Sequence, residues 1–360
     1  MTYFPESVII ITEDDIQFKT FSNEHPDGFI IAKPKYIPTD EIFSNELPKR
    51  SIFNKKVNRI DFWTNQKELN YYLDSFCRVY PNYKYYSEIH KNWFFAIPKS
   101  SIKQIFEPKE GLKTLMNLKE KDKNPHLNTV INFVNFILES KISLDDLGIT
   151  FSTLVGNYDQ KYSDINIVIY GKDNAWKILN FLKKINHPSL KWKTEKDWER
   201  FRNKRNRSKF FEEHEFFEQM SRKKTEGFFE NKLFVLFPVE KETEIKDKWG
   251  DETYTPLGLA EIEGIVKDNY SSIVRPGFYE IKNSKLLNDI SNKKNINIKK
   301  IVFYSRDYVM QVYPGEKIKA CGLLEEVKNK NGKKYHRIVI GYFDSYLNER
   351  RDKEYLKKID

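Results

Sequence analysis

The chain has 360 residues, 39% of them hydrophobic and 32% charged, with 27 Phe and 21 Tyr. That share of apolar and aromatic side chains excludes a disordered polymer and suffices for two or three domains, each with a core. Lys and Arg total 62 against 52 Asp and Glu, a formal charge of +10, which favours anionic partners such as nucleic acid or nucleoside triphosphate. Cys77 and Cys321 form no C-x-x-C, so neither a zinc ribbon nor a disulfide framework is indicated, and a reducing compartment fits. The opening MTYFPESVIIITEDD has no basic n-region and no later stretch reaches the length of a membrane span. A soluble, cytoplasmic protein without membrane contact is expected.

In chain order, residues 7–40 read as two or three strands. Apolar runs at Val8–Ile11 and Phe29–Ala32 flank SNEHPDG, whose Pro26 and Asp27-Gly28 supply turn chemistry. Residues 41–125 mix aromatic helical pieces, such as QKELNYYLDSFCRVY, with Pro-interrupted loops, and EKDKNPHLN at 120–128 reads as a linker. Val130, Phe133, Val134, Ile137 and Leu138 then recur at helical spacing. SLDDLGIT turns the chain into INIVIYG, which is apolar on both faces as a central strand should be. KDNAWKILNFLKKI follows as a helix capped by Asp173 or Asn174. Helix, turn, strand and helix make an α/β unit.

Residues 195–226 are polar and helical around the basic stretch RFRNKRNRSK, and NKLFVLFPVE at 231–240 is another strand. LGLAEIEGIVKDN and SSIVRPGFYEI add two more. Residues 300–345 are strongly β, with a turn at Asn331-Gly332, and read as a small barrel or a sheet extension. NERRDKEYLKKID reads as a helix or a tail. The expected class is α+β around an α/β unit, with a β-rich mixed module at 1–125, the α/β domain at 126–285 and a small β module with a basic tail at 286–360.

ITFSTLVGNYDQKYSDINIVIYG, residues 149–171, resembles the signature of the nucleotidyltransferase superfamily, the polymerase-beta-like fold: Gly-Ser, a short helix, then Asp-x-Asp leading a strand. On that alignment Ser152 matches the serine, Gly156 the helix glycine, and Ser163-Asp164-Ile165 the first half of the acidic motif. HPDGFIIAKPKYIP, RKKTEGFFENKLFVLF, LGLAEIEGIVKDNYSSIVRPGFYEI and CGLLEEVKNKNGKKYHRIVIG are similar to an archaeal group of predicted nucleotidyltransferases. The resemblance implies transfer of a nucleoside monophosphate from a triphosphate to a hydroxyl, with Mg²⁺ or Mn²⁺ held by Asp164 and Asn166. Ser152, Thr153, Gly156 and Ser163 would then hold the nucleotide.

The chemistry explains that spacing. Residues i and i+2 of a strand share a face and can grip metal ions together, and those ions orient the phosphates for an in-line displacement. Two positions depart from the pattern. Phe151 stands where the signature has glycine, and Asn166, which is uncharged, stands where it has the second acid. For the third acid, Glu230 and Glu240 flank the 231–240 strand while Glu261 and Glu263 share a face of another; none is a strong nominee.

A rival expectation keeps the fold without catalysis and binds nucleic acid through Arg200, Arg202, Lys204, Arg205, Arg207 and Lys209. Phe201, Phe210 and Phe211, interleaved with these, read either as base-stacking rings or as the buried stripe of a helix. His25, His187, His214 and His336 lack metal-ligand spacing and read as structural. No P-loop, G-x-S-x-G or H-E-x-x-H occurs.

Overall fold

A computed structural model of the chain describes residues 3–38, 49–52, 55–60, 62, 66–203, 206–288, 296–342 and 350–360. It is 31% helical and 38% strand, an α+β protein. None of its described helices is long and apolar enough to cross a membrane.

The first sheet runs in the order β4-β5-β3-β2-β1-β8, from strands β1 (Ile9–Thr12), β2 (Gln17–Thr20), β3 (Phe29–Pro38), β4 (Lys49–Ile52), β5 (Lys55–Arg59) and β8 (Ile102–Phe106). Strand β7 (Asn92–Pro98) also pairs with β3, and β6 (Lys84–Ser87) with β7. Helix α1 (Gln66–Val79) buries Leu69, Leu73 and Phe76 in the core of this sheet beside Phe18 and Phe95. Lys19 of β2 lies directly across from Lys33 of β3, and Tyr36 of β3 across from Arg59 of β5.

Helices α2 (Pro108–Met116) and α3 (Pro125–Leu138) lead into the second sheet. The expected linker at 120–128 instead holds a short 3-10 turn and the start of α3. Asn124 caps that helix by accepting from the Leu127 amide, and Pro125 occupies its first turn, where a missing N–H costs nothing. The second sheet has the order β11-β12-β13-β10-β9, from β9 (Leu147–Ile149), β10 (Ile165–Tyr170), β11 (Leu190–Trp192), β12 (Glu226–Phe229) and β13 (Lys232–Val239). The four-residue helix α4 (Phe151–Leu154) joins β9 to β10, and α5 (Lys172–Lys184) follows β10. Gly171, not Asp173 or Asn174, stands at the start of α5; Asn174 reaches back to the Tyr170 carbonyl and to Asp146.

Every residue of β10 is buried because both faces are covered. Ile165, Ile167 and Ile169 pack into the core with α3 and α5, while Val168 and Tyr170 pack with Val235, Phe237 and Val239. Asn166 lies on the second of these faces by alternation. Helices α6 (Glu195–Asn203) and α7 (Glu213–Ser221) close around Trp198, Phe216, Phe217 and Met220, with Phe201 and Phe211 packed against them.

The third sheet contains β14 (Glu252–Asp268), β15 (Gly277–Leu286), β16 (Ile298–Phe303), β17 (Lys317–Asn329), β18 (Lys334–Ile340) and β19 (Tyr355–Ile359). Their order is β14-β15-β16-β18-β17-β19, and β14 pairs with β17 as well, so five of the strands form a closed ring. The boundary expected after residue 285 falls inside β15, and β14 is hydrogen-bonded to β17 along most of its length. Strands β14 to β19 therefore belong together. The expected helix or tail at the end is strand β19, held against β17 and by Gln219, which bonds the Leu356 carbonyl and the Lys358 amide.

Ring residues such as Ile262, Ile301 and Ile338 join the same apolar cluster as the core of the second sheet, whereas Val302, Leu323 and Val339 pack with the first. The first and second sheets also meet directly. Thr150 Oγ1 donates to the Ser7 carbonyl at 2.7 Å and Asn23 Nδ2 to Glu240 Oε2 at 3.1 Å.

Candidate functional site

Between the first two sheets opens a cleft of about 880 Å³. Ser152, Ser163, Asp164 and Asn166 all line it, so the segment singled out in the sequence converges on one place. Asp164 is half-buried at the entrance to β10. Burial pushes its carboxyl upward and Glu226 adds to this, while Lys193, Arg59 and Lys35 pull it back without cancelling the rise. Asn166 is buried, and its Nδ2 donates to the Asp164 carbonyl at 3.3 Å.

The other expected nucleotide ligands diverge. The Thr153 side chain is buried and shares a 3.0 Å hydrogen bond with His126 Nε2, turned away from the cleft. Gly156 is exposed at φ +73°, closing the turn after α4 rather than lining the cleft. Its amide bonds the Thr153 carbonyl.

Phe151 does line the cleft, and its φ is +57°. That is the left-handed region natural to glycine and strained for phenylalanine. The residue thus holds a backbone shape that glycine takes without strain. Its ring packs edge-on against Phe237 at 5.1 Å, with the Lys35 amine 3.9 Å and the Lys19 amine 5.0 Å from its centroid. Arg306 covers Phe237 at 4.3 Å. The two rings form an aromatic floor under three cations, an arrangement that favours positive charge over the ring faces.

Here the usual ranking of small residues should invert. Phe151→Gly relieves the strain that Phe151→Ala keeps, so the glycine variant is expected to be more stable than the alanine variant by about 1 kcal/mol. Urea denaturation of both variants checks this. Alanine equal to or better than glycine would show that the backbone is not held in the left-handed region.

The expected metal site lacks its donors. Asn166 faces Val235 across β10 and β13, and Val235 faces Glu226 across β13 and β12. The nearest acid in that row is therefore Glu226, one strand beyond the natural position, and the sequence reading missed it. Glu226 is already neutralised: it pairs with Lys193, with Lys223 at 2.6 Å, and more distantly with Arg306 at 3.9 Å. Burial alone would raise its carboxyl, but those cations override burial and hold it well below the usual range.

The four acids nominated from the sequence are engaged elsewhere or show no approach to Asp164. Glu230 bonds Asn132, Glu240 bonds Lys172, and Glu261 pairs with Lys319 and Tyr355. Glu263 lies on β14, paired with β17. Among the described residues no group of three or more His, Cys, Asp or Glu is placed to hold a metal ion. A single carboxylate and an amide, facing Lys35 and Arg59, do not fit Mg²⁺ or Mn²⁺, since a divalent cation there would gain one charged ligand against several like charges.

Cations fill the cleft instead: Lys19, Lys33, Lys35, Arg59, Arg275 and Arg306, against the two lining carboxylates Asp159 and Asp164. Lys19 and Arg275 share Glu6 from behind. Lys35 and Arg59 have no ion-pair partner among the described residues. The amines of Lys19, Lys33 and Lys35 are all held well below the ordinary lysine value, first by burial and then by neighbouring cations.

Among the described residues, none of the basic stretch lines this cleft. Arg200 is exposed on α6, Arg202 pairs with Glu213 at 3.2 Å, and Lys209 lies over the ring of Phe210. Lys204 and Arg205 lie outside the described residues, as does the side chain of Arg207. The interleaved rings are structural: Phe201 packs on Trp198, Phe211 on Phe216, and Phe210 stacks on Tyr355 at 4.5 Å.

No family model matches the sequence, and no solved structure matches the fold. Among curated proteins, the uncharacterized protein MJ1086 of Methanocaldococcus jannaschii is 31% identical over 346 residues, covering 94% of this chain and 96% of the relative. With a likeness that runs through all three sheets, the chain belongs to the same family as that archaeal protein.

Proposed function

We propose that the chain is a nucleotidyltransferase-like protein whose site has become a metal-independent binding cleft for phosphate-bearing ligands, the simplest being a nucleoside triphosphate. One observation carries this reading. Lys19 sits directly opposite Lys33, and Lys35 follows on the same face of β3. Like charges directly opposite each other in a sheet are destabilising, so such a set is retained at a cost that an anionic ligand offsets.

The left-handed Phe151 at the start of α4, Asp164 leading β10 and the parallel β13 beside it support the nucleotidyltransferase-like part of the reading. The exchange of metal for fixed cations supports the binding part. Phosphate oxygens otherwise held by Mg²⁺ would be met by Lys35, Arg59 and Arg306, whose charge-assisted hydrogen bonds are the strong kind.

Calorimetric titration with a nucleoside triphosphate in EDTA, and again in Mg²⁺, tests this. Affinity is expected to be undiminished in EDTA. Asp164→Asn is expected to tighten binding severalfold, because it removes the carboxylate that repels the phosphates. Binding that requires Mg²⁺ and vanishes in Asp164→Asn would overturn the proposal and restore a metal enzyme.

A further inference from the structure

We infer that the natural occupant of the cleft is a single-stranded nucleic-acid segment rather than a free nucleotide, with Tyr162 as the stacking platform for a base. The inference rests on the phosphate-binding reading above and names the ligand class. The cleft of about 880 Å³ lies at the upper end of the range for pockets that enclose one small ligand. Its cations come from several elements: Lys19 from β2, Lys33 and Lys35 from β3, Arg59 from β5, and Arg275 and Arg306 from segments flanking β15 and β16. Six cations are more than one triphosphate neutralises, and a strand, which carries a phosphate at every nucleotide, can engage more of them.

The rim supplies the second half of the match. Tyr162 lines the cleft and is 74% exposed, the most exposed of the large hydrophobic side chains among the described residues. The loop that carries it is tied down. Asp159 Oδ1 accepts from the Lys161 and Tyr162 amides at 2.8 and 2.9 Å, and Ser163 Oγ accepts from the Asp159 amide at 2.9 Å. Lys232 Nζ donates to the Gln160 carbonyl at 2.6 Å, and Tyr158 stacks on His126 at 4.7 Å. A ring held out into water by a braced loop loses little freedom when a base stacks on it. Tyr36, across from Arg59, and Phe62 add further rings among the cations. Cations interleaved with aromatics are how a groove holds a strand without reading its sequence.

Fluorescence anisotropy with labelled single-stranded RNA and DNA of about six nucleotides, with the matching duplex and a free triphosphate as competitors, tests the inference on the full chain. The strand is expected to bind more tightly than the triphosphate and the duplex. Tyr162→Ala is expected to weaken it about tenfold, and Tyr162→Phe, which keeps the ring, to retain it. Because Tyr162 is exposed, an unchanged melting temperature shows that each variant is folded. A triphosphate that binds while the strand binds no better, or a Tyr162→Ala variant that holds the strand undiminished, overturns the inference and leaves the phosphate-binding reading standing. Failure of both ligands overturns that reading itself.

Discussion

Glu226→Gln is expected to destabilise the protein by about 3–5 kcal/mol, the range seen when one partner of a buried ion pair is removed. The glutamine is nearly isosteric, so packing is kept and only the charge is lost. Lys223, itself buried, and Lys193 and Arg306 would then face one another without their common anion. The effect should depend on pH with a definite sign. Burial already lowers the Lys223 amine to about 8 despite Glu226, and without that carboxylate it falls further. In the unfolded chain the same amine titrates near its ordinary value of about 10.4. Between the two values the unfolded state binds a proton that the folded state does not, so stability of the variant recovers as pH rises through that window. Urea titrations at neutral and alkaline pH measure both parts. A midpoint unchanged from wild type at neutral pH would mean that Glu226 is not the counter-ion of this cluster.

Lys35→Glu is expected to weaken triphosphate binding about 100-fold at low salt. A lost charge-assisted hydrogen bond accounts for about 1.5–3 kcal/mol, and the new carboxylate beside Asp164 adds repulsion. Wild-type affinity should also fall as pH rises toward the ordinary lysine range. Lys19, Lys33 and Lys35 are held well below that range by burial, so they lose their protons early, and Arg59, Arg275 and Arg306 then remain to meet the phosphates. Binding isotherms across the alkaline range, with Lys35→Glu alongside, check this. Affinity flat across that range, or unaltered in the variant, would show that the ligand lies elsewhere.

The parts of this fold that were legible in the sequence are those where one local pattern decides. The run INIVIYG could only be a strand covered on both faces, and its partner β13 was legible for the same reason. The spacing from Ser152 to Asp164 carried a shape, and both line one cleft. The cations did not stand out, because 62 Lys and Arg are scattered through the chain and their convergence depends on the register of β2 against β3. A signal was nonetheless present in FIIAKPKYIP, where lysines alternate within an otherwise apolar strand. Glu226 was hidden more thoroughly, since it closes a stretch, 195–226, that reads as polar and helical until β12 is laid beside β13.

The closed ring in the third sheet has a consequence for how the protein is made. A ribosome delivers the chain from its N-terminus, so β14 emerges long before β17, the strand that completes its hydrogen bonds. Until then its apolar residues have no inner wall to face, and the outward Val302, Leu323 and Val339 are not there to seal the first sheet. Pairings so distant in sequence form slowly and late. The cleft, whose wall includes Arg275 and Arg306 from within the ring region, therefore acquires its full charge only after the strands that precede those two arginines have been made.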